Sequence, residues 1–191
     1  MEWIKKSIKG VLRWLGLYPE SNDRLYKGLH IGQNTYFVRQ NLDGMAPALI
    51  TIGRDCVLAP TAMVLTHDAS TFVHTGKYRF APVKIGNRCF LGYNSVIMPG
   101  ITLGDDVIVG AGAVVTRDVP SGMTVGGVPA RVIGKTMESI NTWQHQLIEP
   151  PFRFGEVPTL DHLIKLQTKV LAKYSNMTES DSRTMHDQKD T

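Results

Sequence analysis

From Ile85 onward every sixth residue is aliphatic: Ile85, Leu91, Ile97, Leu103, Val109 and Val115. Gly86, Gly92, Gly104 and Gly110 directly follow four of these positions. The slot four residues beyond the aliphatic position holds Cys89, Ser95, Val107 and Ala113, which are small or β-branched. Ile52, Leu58 and Val64 form an earlier block of the same kind, and Ile31 with Phe37 begins another. A period of six is neither the 3.6 of a helix nor the strict alternation and hairpin turns of a sandwich. It predicts a triangular coil, with one aliphatic side chain per side pointing inward, small residues at the corners and glycine relieving the turns. Three hexads complete a coil, and each coil buries its interior residues only by stacking on its neighbours.

The periodicity changes at both ends. Residues 2–17 predict an amphipathic helix, with Ile4, Ile8, Val11, Leu12 and Leu15 on one face and Lys5, Lys6, Lys9 and Arg13 elsewhere. Two readings stay open for it. It covers the unpaired backbone at the end of the coil, or, with Trp3 and Trp14, it lies on an anionic membrane surface. A second helix is expected over Thr159–Tyr174, after the punctuating Pro150, Pro151 and Pro158. From Asn176 onward the chain is polar and expected to be disordered. The organisation read from the chain is therefore a helix and lead-in over 1–28, a coil domain over 29–135, an extension with a helix over 136–175, and a tail over 176–191.

Composition adds bounds. A chain of 191 residues with 42% hydrophobic and 20% charged residues fits one globular domain. The net charge of +4 suits an anionic ligand or surface, but no recognition motif or basic stripe accompanies it, so no nucleic-acid partner is expected. Cys56 and Cys89 occupy small-residue slots, which reads as core packing and gives no sign of an oxidising compartment. Arg13 interrupts the only candidate leader, and no apolar run is long enough to span a bilayer. The expected location is cytoplasmic, with peripheral membrane contact through residues 2–17 as the variant.

Between Val64 and Ile85 the step is 21 residues, not a multiple of six, so a segment over 66–82 leaves the coil. It carries His67, Asp68, His74, the hydroxyls of Ser70, Thr71 and Thr75, and the aromatic Tyr78 beside Arg79. Excursions from a rigid scaffold are where binding and catalysis concentrate.

Three stretches resemble the acetyltransferase branch of the hexapeptide-repeat family. They are Leu58-Ala59-Pro60 with Thr66-His67-Asp68, then Ile97-Met98-Pro99-Gly100-Ile101-Thr102-Leu103-Gly104-Asp105, then Gly110-Ala111-Gly112-Ala113-Val114-Val115-Thr116-Arg117-Asp118-Val119-Pro120 with Gly126-Gly127-Val128-Pro129-Ala130-Arg131-Val132-Ile133. The resemblance implies an all-β fold, a left-handed parallel β-helix, whose hand is an exception to the right-handed crossover rule. It also implies acetyl transfer from acetyl-CoA directly to an acceptor hydroxyl or amine, with no metal. His67 matches the family's general base, a role that imidazole suits. Asp68 is a candidate to orient that ring, to cap the turn or to bind acceptor. A backbone amide is expected to stabilise the oxyanion. The coenzyme is expected along Tyr93, Ala111 and Pro129, with Thr116 and Arg117 near the adenine and Arg131 and Lys135 towards phosphate. A homotrimer with sites between subunits is implied.

The acceptor is expected to be a sugar, on a bacterial cell-surface polysaccharide or lipopolysaccharide, with Arg39, His74 and Tyr78 as candidate contacts. Members that acetylate maltose or galactosides carry an Ala-Asn-Phe segment where this chain has Phe37-Val38-Arg39-Gln40. The excursion resembles the polysaccharide and lipopolysaccharide members instead. Serine, an amino-sugar nucleotide and a drug are the alternative acceptors. A γ-type carbonic anhydrase needs three metal-binding histidines, and the excursion offers His67 and His74. A non-catalytic scaffold of the same repeat is the third reading.

Overall fold

The computed structural model describes residues 26–151 and 158–175. The helix expected over residues 2–17, its membrane reading and the tail from Asn176 lie outside these residues.

The predicted hexads become short strands, except that of Phe37, where Tyr36 makes an isolated bridge to Val57, and equivalent strands pair in parallel into three sheets. The first sheet is His30–Ile31, Ile50–Ile52, Val83–Ile85 and Thr102–Leu103. The second stacks Val57–Leu58, Phe90–Leu91, Ile108–Val109 and Met123–Gly126, and the third stacks Met63–Val64, Val96–Ile97 and Val114–Val115. Ile85 faces Leu103, Leu91 faces Val109 and Ile97 faces Val115, eighteen residues on in each case, so three hexads make one coil. The inward residues close the core: Ile50, Leu58, Val64, Leu91, Ile97 and Val109 are all fully buried. Each such side chain is worth roughly 1.5–3 kcal/mol relative to exposure.

The small corner residues follow from how closely the coils approach. A Cβ on Gly86 would lie 2.6 Å from the backbone of Gly104 in the next coil, so no side chain fits there. Cys56 and Cys89 sit buried in the corner slots as free thiols, and Cys89 N–H points at Cys56 Sγ at 3.4 Å.

The three outer surfaces differ. The first sheet turns His30, Thr51, Lys84 and Thr102 outward, all exposed and polar. The second turns out Tyr36, Val57, Phe90 and Ile108, and the third Met63, Val96 and Val114. Two of the three faces are thus apolar on the outside.

The coil does not end on a stacked hexad. Arg131–Lys135 folds back antiparallel on Met123–Gly126, which pairs one edge of the last coil. The extension then forms α2 (Thr136–Thr142) and α3 (Leu160–Ser175), while α1 (Phe72–Thr75) belongs to the excursion. The protein is therefore mostly β with three helices among the described residues. No helix among them is long and apolar enough to cross a membrane.

Candidate active site

The excursion is an arm with a defined base. Ala81 N–H donates to the Thr66 carbonyl at 2.9 Å, and His67–Asp68 pairs antiparallel with Arg79–Phe80. At the tip, α1 ends on Gly76, whose φ of 66° takes the left-handed cap conformation that glycine supplies without strain. The arm inserts fifteen residues: Val64 faces Ile97, thirty-three residues on, where the regular coil needs eighteen.

His67 sits where the arm leaves the third sheet. Its Nδ1 lies 2.6 Å from Oδ2 of Asp43, a carboxylate whose side chain is wholly buried while the imidazole is 24% exposed. The same Oδ2 accepts the backbone N–H groups of Thr66 at 2.7 Å and His67 at 2.9 Å, and Oδ1 accepts that of Met45 at 2.8 Å. Burial by itself would push the Asp43 carboxyl up. The hydrogen bonds from Met45, from the His67 ring and from Thr66 outweigh it and hold the group well below the usual carboxylate range. An ionised carboxylate only accepts, so the ring nitrogen that faces it, Nδ1, is the one that carries a proton.

Asp43 reaches this position by an irregular route. Two 3₁₀ turns, Arg39–Asn41 and Pro47–Leu49, interrupt the first coil. Leu42 still bridges to Val64, and Asp43 N–H donates to the Val64 carbonyl at 3.0 Å. Asn41, just before, is buried and fully used: Nδ2 donates to the Ala59 and Ala62 carbonyls and Oδ1 accepts from Val38 N–H.

Asp68, expected on the sequence as a partner of the ring or a cap of the turn, accepts the Ser70 N–H at 2.8 Å. That bond, rather than the imidazole, is the leading cause of its lowered carboxyl pKa. Tyr78 lies beside His67 with ring centroids 6.3 Å apart, and Phe80 lies at 6.1 Å. His74 is exposed on α1. Arg39 stacks its guanidinium over the Tyr26 ring at 4.6 Å.

The residues expected along the coenzyme fall into two groups. Tyr93 and Ala111 are exposed at the turn that precedes the third sheet. Thr116 and Arg117 follow that sheet at its other edge, and Arg117 and Arg131 line one cleft with Asp118, Val119, Ala130 and Val132. Pro129, in a cis peptide with Val128, leads into this cleft. Lys135 pairs with Glu138 at 3.1 Å. Among the described residues no three His, Cys, Asp or Glu side chains gather as a metal-holding set.

Comparison with known proteins places this geometry. Residues 82–117 match the family described as "Hexapeptide repeat of succinyl-transferase". Protein CapG of Staphylococcus aureus is 37% identical over 136 residues, which covers 68% of this chain and 77% of that protein. The chain belongs to the hexapeptide-repeat acyltransferase family. The galactoside O-acetyltransferase of Escherichia coli K12 is another relative, 37% identical over 108 residues, 55% of this chain and 53% of that protein. A putative lipopolysaccharide biosynthesis O-acetyl transferase, WbbJ of Escherichia coli K12, is 31% identical over 107 residues, 50% of this chain and 55% of that one. The match to these two relatives spans about half of their length. Within the family frame, the buried carboxylate behind His67 is the residue that the repeat pattern did not reveal.

Proposed function

We propose that the protein transfers an acetyl group from acetyl-CoA to a hydroxyl of a sugar, by direct transfer with His67 as general base. The observation that carries this reading is the Asp43–His67 pair at 2.6 Å, with the carboxylate wholly buried and the imidazole partly exposed. In this reading Nε2 takes the acceptor proton as the hydroxyl oxygen attacks the thioester carbonyl, and the coenzyme leaves as the thiol. Asp43 fixes the tautomer and stabilises the imidazolium that forms, the role that a buried carboxylate plays behind other catalytic histidines. Relatives named as galactoside and lipopolysaccharide O-acetyltransferases support a sugar acceptor. A bacterial surface polysaccharide or lipopolysaccharide is the acceptor class we favour.

Arg117 and Arg131 line one cleft, and two arginines there suit the phosphates of the coenzyme. We further read the coil as left-handed, the hand of the family fold, and the active unit as a homotrimer. The two apolar outer faces support such an assembly, because a closed threefold ring of prisms covers two faces of each and leaves one in solvent.

The reading is tested by following thiol release from acetyl-CoA across a panel of sugars, with serine as the non-sugar control. Sugar-dependent release is expected, and release that is the same with and without acceptor contradicts transfer. The coenzyme assignment has its own test. Arg131→Ala should weaken binding of coenzyme A more than that of dephospho-coenzyme A, by about 1–3 kcal/mol, measured by calorimetric titration. Equal losses for both ligands would remove Arg131 from the terminal phosphate.

A further inference from the structure

The arm presents three aromatic rings that the fold does not bury. Phe72, Tyr78 and Phe80 are 46%, 40% and 48% exposed. Their centroids follow one another at 4.9 Å from Phe72 to Tyr78 and 6.3 Å from Tyr78 to Phe80, and the last two flank His67. Packing within the chain therefore leaves their faces open. Across the base of the arm His67 pairs in register with Phe80, and the next pair, Asp68 with Arg79, points to the opposite side of the ribbon.

We infer that Tyr78 and Phe80, extended by Phe72, form a stacking platform for a pyranose ring of the acceptor, and that this platform presents an acceptor hydroxyl to Nε2 of His67. The inference rests on the acetyltransferase reading above and names the surface that selects its acceptor. A pyranoside has one face of C–H bonds and a rim of hydroxyls. The C–H face, polarised by the ring oxygens, meets the electron-rich face of an aromatic ring. Serine has no such face, and the platform gives it no contact.

The probe is methyl β-D-galactopyranoside, observed by saturation-transfer NMR on the full chain, with sedimentation run on every variant. Saturation of the sugar C–H protons is expected in the wild type and in His67→Ala, because the platform does not require the base. Tyr78→Ala and Phe80→Ala should each weaken the sugar by about tenfold, and Phe80→Tyr should restore it. Equal sugar binding by all the arm variants overturns the inference. A lower assembly mass in Phe80→Ala with unchanged sugar binding also overturns it and assigns the arm to a subunit contact. If acetyl reaches serine while no pyranoside binds, the platform and the sugar acceptor are both wrong and only acetyl transfer itself stands. If pyranosides bind through the rings but no acceptor draws acetyl from acetyl-CoA, the platform survives as a sugar site and the acetyltransferase reading fails.

Discussion

Asp43→Asn should lower the turnover number for acetyl transfer by on the order of 10²–10⁴-fold while leaving the KM for acetyl-CoA nearly unchanged. The carboxylate is surrounded by donors: Oδ2 accepts from Thr66 N–H, His67 N–H and His67 Nδ1, and Oδ1 accepts from Met45 N–H. An amide replaces one acceptor by a donor, so one orientation opposes Met45 and the other opposes Thr66 and the imidazole. The first keeps the ring tautomer but loses the negative charge that stabilises the imidazolium. The second loses the tautomer as well. Either leaves a buried donor unmet, at a cost of about 1–3 kcal/mol, so thermal unfolding should register the change too.

Acid unfolding separates the two effects of that substitution. The folded carboxyl of Asp43 is held below its unfolded value. Its stabilising contribution is therefore complete above about pH 4, the ordinary carboxyl value, and is lost as pH falls through the folded one. The wild type should lose stability steeply below about pH 4. The Asp43→Asn protein should start less stable and show a shallower dependence there.

How much of this was legible follows from what the repeat pattern encodes. The inward hexad residues from Ile85 to Val115 give the registers directly, because a strict period leaves one way to stack coils. The arm was legible because it breaks that period, while the choice of His67 over His74 within it came from the resemblance to the acetyltransferase branch. Asp43 was not legible, since the 3₁₀ turns Arg39–Asn41 and Pro47–Leu49 set Leu42 opposite Val64 at a spacing that no hexad count produces. Asp68 drew attention by adjacency to His67. Neighbouring residues on a strand point to opposite sides, and its carboxylate turns to the Ser70 N–H instead. Arg117 and Arg131 were legible singly, but the antiparallel return of Arg131–Lys135 that brings them to one cleft has no hexad signature. The helix expected over Thr159–Tyr174 forms as Leu160–Ser175, a shift of one residue at each end.

His67→Ala should reduce acetyl transfer by about 10²–10⁴-fold, the contribution of a positioned general base. The side chain lies at the root of the arm and is not among the buried residues of the coil, so assembly and coenzyme A affinity should stay close to wild type. The loss should fall on the turnover number, because the base acts in the transition state more than in binding. His74→Ala is the matched control, since His74 stands exposed on α1 and should at most shift the acceptor KM. The most direct measurement is the pH profile of the turnover number for wild type and His67→Ala with one sugar acceptor at saturation. The account predicts a wild-type profile with a limb that rises with pH, and a His67→Ala rate that is far lower and lacks that limb. A His67→Ala enzyme that keeps full activity, or one that keeps the same pH limb, would contradict the assignment of His67 as the base.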